Sequence, residues 1–137
     1  MYFSKILSAV SALAVTASAT LVSYDVGYDD PNRSLTAVSC SDGANGVMWK
    51  YGWNVQGDAK SFVGGSAAVG GWNSPSCGSC WSATYNGRTV YVLAIDHAGS
   101  GLNLGLNAFN QLTNGHGVEL GIVDAVVNPV ALSNCGL

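Results

Sequence analysis

Four cysteines, Cys40, Cys77, Cys80 and Cys135, constrain this chain more than any other feature. An even count behind an apolar leader implies two disulfides formed in an oxidising compartment. Three pairings are possible. A redox-type Cys77–Cys80 pair lacks the βαβ setting that such motifs need. One Cys-x-x-Cys without a His pair at ligand spacing does not make a zinc site, so neither a metal nor a cofactor is expected. Two bridges closing long loops would each contribute about 4 kcal/mol in the chain-entropy model, enough to make a small domain robust.

The leader has its own pattern. Lys5 supplies a positive charge, Ile6 to Val15 is apolar except for Ser8 and Ser11, and Ala17-Ser18-Ala19 is a small-residue cleavage pattern. The apolar stretch falls short of the roughly 20 residues that a transmembrane helix needs. Residues 1–19 are expected to be a signal peptide and 20–137 one secreted domain. Later apolar runs are broken by Gly, Asn or Asp, so no membrane span is expected.

Charge narrows the partners. Past Ala19 the four basic residues Arg33, Lys50, Lys60 and Arg88 face eight acidic ones. Without a basic cluster, the phosphate-neutralising term behind nucleic-acid binding is missing. Charged residues make up 9% of the chain, against about 25% in typical soluble domains. Ser, Thr, Asn, Gly and aromatic residues must therefore supply much of the surface. Such a surface suits hydroxyl-rich ligands and adsorption at interfaces.

Local patterns predict a β-rich domain. Val22 to Val26 alternates as a short strand, and Asp29-Asp30-Pro31-Asn32 is a turn cluster. Asn32-Arg33-Ser34 is a glycosylation sequon, which places Asn32 on a surface loop if modified. Val47 to Tyr51 reads equally as helix or strand. Phe62-Val63-Gly64-Gly65 calls for close backbone approach or positive φ. Trp81 to Tyr85, Asn86-Gly87 and Arg88 to Asp96 read as a β-hairpin with a type I′ turn. Both faces of its second strand are apolar, which makes that strand central. Leu102, Leu106 and Phe109 recur at helical spacing, so a helix is expected over about Leu104 to Thr113. Val118 to Val127 and Val130 to Leu132 read as closing strands separated by a break at Pro129. About six strands with one or two short helices favour a small barrel.

Glycoside hydrolysis ordinarily needs two carboxylates facing each other across a bond, and few are available. Asp96, at the end of an apolar strand, is the best-aimed acid. Its bland alternative is to hydrogen-bond the backbone of its own Gly-rich loop. Asp25, beside Tyr24 on the first strand, is the second candidate. Asp124 and Glu119 read as surface or structural groups. His97 has no nucleophile motif beside it, and the chain has no Gly-x-Ser-x-Gly. Among the tryptophans, Trp72 and Trp81 read as core, while Trp49 and Trp53 read as exposed contacts.

Several strings carry a family resemblance. They are Val22-Ser23-Tyr24-Asp25, Val38-Ser39-Cys40-Ser41-Asp42-Gly43, and Trp72-Asn73-Ser74-Pro75-Ser76-Cys77-Gly78-Ser79-Cys80-Trp81. They continue with Ala94-Ile95-Asp96-His97-Ala98-Gly99, Leu112-Thr113-Asn114-Gly115, Val123-Asp124-Ala125 and Asn134-Cys135. Together they closely resemble the cerato-platanin family of fungal secreted proteins. The resemblance implies a six-stranded double-psi β-barrel like that of expansins, barwin-type proteins and some endoglucanases. It implies bridges Cys40–Cys77 and Cys80–Cys135. It also implies binding to chitin oligomers, expansin-like loosening of polysaccharide without clear hydrolysis, and elicitation of plant defence, which would call for a plant receptor. Some members self-assemble at interfaces. Asp96 falls where related barrel enzymes keep an acid, with Asn103 on the adjacent loop. Many members carry Arg where this chain has Ile122.

The reading that follows is a secreted, wall-associated, non-catalytic carbohydrate-binding protein using Asp96, Asn103, Tyr24 and Asp25. Its rivals are a weak endoglycosidase using Asp96 and Asp25, and a surface-active coat protein resembling hydrophobins.

Overall fold

A computed structural model describes residues 19–137. Apart from Ala19, the expected signal peptide lies outside the described residues. The strands are β1 (Ala19–Tyr24), β2 (Phe62–Ser66), β3 (Cys80–Tyr85), β4 (Arg88–His97), β5 (Leu102–Leu104) and β6 (Ile122–Val130). They close into a barrel in the order β1-β5-β2-β4-β3-β6. Two pairs, β1 with β5 and β2 with β4, run parallel, and the other pairs are antiparallel. This is the expected six-stranded double-psi barrel. Three short helices decorate it, α1 (Val47–Tyr51), α2 (Leu106–Leu112) and α3 (Gly117–Leu120), one more than expected.

The hairpin forms where local chemistry demands it. Asn86 and Gly87 both adopt positive φ, 48° and 78°, the combination a type I′ turn requires. β4 then lies between β2 and β3, with Val90 and Val92 to Ile95 all buried.

Other elements depart from the local pattern. Leu102 belongs to β5, and α2 starts only after Gly105. The Asp29 carboxylate, 77 residues upstream of Leu106, accepts the Leu106 and Asn107 amides at 2.8 and 3.1 Å and so defines the helix start. Val118 to Leu120 coils into α3, because Asn110 Oδ1 accepts the Gly117 amide and His116 pairs with Glu119. Glu119 therefore stands on a short helix, three residues before β6 begins at Ile122. β6 runs unbroken through Pro129, which pairs in register with Trp81. Among the described residues the β1–β6 ladder ends at Ala19 and Val126, so Pro129 lies beyond its described part, outside the central ladder where a missing N–H is costly.

Two apolar clusters fill the molecule. One gathers Leu35, Val47, Val69, Leu93 and Ile95 around all four cysteines. The other joins Val22, Ala83, Val92, Leu102 and Leu104 to Phe109 and Leu112 of α2. Trp81 packs against both. Trp72, expected in the core, is 62% exposed. Its indole N–H donates to Asp42 Oδ1 at 2.8 Å, which holds the ring over the surface. Trp49 is exposed, as expected, while half-buried Trp53 stacks on Tyr51 at 4.6 Å. The disulfides Cys40–Cys77 and Cys80–Cys135 both form.

Candidate functional site

Sheet register assembles the site. Gly65 on β2 pairs with Asn103 of β5 on one side and with Asp96 of β4 on the other. Asn103 in turn pairs with Ser23 of β1. Ser23, Asn103, Gly65 and Asp96 therefore form one row across four strands, with Asn103 and Asp96 about 10 Å apart at the backbone. A bulge between Gly64 and Gly65 sets this alignment. The Ser23 hydroxyl donates to Asn103 Oδ1 at 3.1 Å.

Asp96 is half-buried and held from three directions. Its Oδ1 accepts the amides of Ser39 and His97, both at 3.0 Å. Its Oδ2 accepts the Tyr28 hydroxyl at 2.8 Å. Burial, and then the neighbouring Asp96 carboxylate, hold the Tyr28 hydroxyl well above the ordinary tyrosine range. Arg33 lies over the Tyr28 ring, 5.5 Å from its centroid. The buried Gln56 amide donates to the carbonyls of Gly27 and Asp30, locking the turn that carries Tyr28.

Asp25 does not lie on the first strand. It caps the 3₁₀ turn Val26–Asp29, where its Oδ1 accepts the Gly27 amide at 2.8 Å. That turn delivers Tyr28 to Asp96, so Asp25 and Asp96 belong to one connected structure. Tyr24 is directed elsewhere, its ring 5.4 Å from that of Phe109. His97 is exposed, and its Nδ1–H donates to the Val69 carbonyl at 2.7 Å. Asn32 is exposed on its loop, as a sequon requires. Among the described residues no cluster of three metal-ligating side chains occurs.

Tyr28, Ser39 and Arg33 are the members that reading the sequence missed. A buried tyrosine hydroxyl needs a partner, but nothing local could reveal one 68 residues away.

This arrangement fits a ligand that hydrogen-bonds. It presents a carboxyl acceptor beside an amide and a hydroxyl, and both Asp96 oxygens already engage protein donors. No described hydrogen bond brings a second carboxylate onto Asp96.

Comparison with known proteins places the chain and its fold. The family model for Cerato-platanin matches residues 20–137. The heat-stable 19 kDa antigen of Coccidioides immitis is 46% identical over 123 residues, covering 88% of this chain and 84% of that protein. The crystal structure of cerato-platanin 3 from M. perniciosa superimposes with a TM-score of 0.84 at 41% identity, covering 87% of this chain and 99% of that one. The solution structure of the fungal elicitor Cerato-Platanin gives a TM-score of 0.71 at 34% identity, covering 84% and 95%.

Proposed function

The chain belongs to the cerato-platanin family, and from that premise we propose that it is a secreted, wall-associated protein that binds chitin oligomers without hydrolysing them. Binding loosens the polysaccharide in the manner of an expansin, and the protein elicits plant defence through a host receptor. The elicitor part rests on likeness to a solved relative described as a fungal elicitor.

The observation that carries the binding reading is the row Ser23–Asn103–Gly65–Asp96. A carboxylate accepts charge-assisted hydrogen bonds from sugar hydroxyls or acetamide N–H groups. The Asn103 amide offers both donor and acceptor. Asp25 flanks the row through the turn that follows β1, whereas Tyr24, next to Ser23 on β1, turns its ring to Phe109. Hydrolysis would call for a second carboxylate opposite Asp96, whereas Asp25 accepts the Gly27 amide. That favours binding over the endoglycosidase alternative.

The test is a calorimetric titration with chitin oligomers, paired with an assay for released reducing sugar. The expected Kd is on the order of 10 μM to 1 mM. Asn103→Ala should weaken it by about tenfold, the worth of one or two hydrogen bonds. Steady sugar release that Asp96→Asn and Asp25→Asn both abolish would replace the proposal with the enzyme.

A further inference from the structure

β4 is buried at Val90 and from Val92 to Ile95, yet Tyr91 between them is 39% exposed. It borders an open cleft of about 520 Å³, walled by Lys60 and Ser61 leading into β4's neighbour β2, by Phe62 at the start of that strand, by Gln111 on α2, and by Asn134 near the C-terminus. That volume lies within the range of small-molecule sites.

The walls are fixed. Phe62 packs against the second apolar cluster. The Lys60 stem lies against the backbone of Gly136. Cys135, next to Asn134, is bonded to Cys80 on β3. Arg88 Nε–H donates to the Gln111 carbonyl at 2.6 Å. The cleft is thus organised before any ligand arrives, which lowers the ordering cost of binding.

Its chemistry selects a ligand class. Tyr91 and Phe62 supply aromatic surface, and the lining contains no acidic residue and a single cation, Lys60. The Gln111 side-chain amide, the Tyr91 hydroxyl and the Lys60 ammonium accept or donate no hydrogen bond among the described residues. A hydrocarbon would leave these groups unpaired, and a polyanion would find one cation only. A pyranose has an apolar face to lay on a ring and a rim of hydroxyls to meet the amides.

We infer that this cleft is a second saccharide site, taking a short neutral oligosaccharide stacked on Tyr91. None of its lining residues belongs to the row at Asp96. The inference rests on the reading that the protein binds saccharide.

Amide NMR titration with chitotetraose tests it. Two groups of shifting amides are expected, one around Ser23, Asn103 and Asp96 and the other around Ser61, Tyr91 and Gln111. Tyr91→Ala should weaken the second response by about tenfold and leave the first intact. Gln111→Ala, on an exposed helix position, should act in the same direction without threatening the fold. Asn103→Ala should do the reverse. A first group that responds while the cleft amides stay still overturns the second site. So do cleft shifts whose midpoint is unchanged in both cleft variants. Silence in both groups would overturn the functional proposal itself.

Discussion

Asp96 shows how one side chain can serve the fold and a ligand together. It accepts two backbone amides and a buried hydroxyl. Asp96→Ala leaves all three unpaired, so it should cost about 1–3 kcal/mol in a denaturant melt. Asp96→Asn keeps an acceptor for the amides and should recover most of that loss while still weakening chitin binding. Tyr28 adds a pH signature. Its folded pKa is raised above the unfolded value, so the fold binds the phenolic proton more tightly than the unfolded chain does. That contribution is complete below the unfolded pKa of about 10 and is lost as pH rises through the folded value. Alkaline melts should therefore lose stability above about pH 10, and Tyr28→Phe should flatten that part of the profile.

At the scale of elements, two glycines separate backbone freedom from backbone contact. Gly87 has φ 78° and open space where a Cβ would stand. Gly87→Ala should cost only the left-handed penalty, about 1–2 kcal/mol. At Gly64 a Cβ would fall on the Asn103 carbonyl of the neighbouring strand. Neither backbone can yield without opening the β2–β5 ladder, which also carries the site row. Gly64→Ala should cost about 3 kcal/mol or prevent folding. Chemical denaturation of both variants, ranked against wild type, checks the order.

The whole molecule is braced by two bridges spanning 37 and 55 residues. Each ties a segment of the first apolar cluster to another, and loop closure on this scale is worth about 4 kcal/mol. Cys80→Ser with Cys135→Ser should therefore lower stability by about 2–5 kcal/mol. It should also free Asn134, so the cleft beside Tyr91 should respond more strongly than the row at Asp96. Peptide mapping without reduction should recover Cys40 with Cys77 and Cys80 with Cys135.

What the sequence alone determined was local or compositional. The hairpin was legible because Asn86-Gly87 has few other conformations open to it and the flanking residues suit strands. The bridge count was legible from four cysteines behind an apolar leader, and the pairing came from the family strings around them. Asp96 was legible as a strand-end acid. Tertiary structure alone decided the rest. Leu102 fitted a helical spacing until β1 and β2 claimed it as a strand between them. Trp72 resembled a core residue because it flanks the cysteine string, yet its N–H found Asp42, 30 residues away, and its ring stayed outside. Tyr28 reaches Asp96, and Asp29 starts α2, across separations of 68 and 77 residues. A closed barrel that mixes parallel and antiparallel pairs brings such segments together by register, and register is set by the packing of all six strands at once.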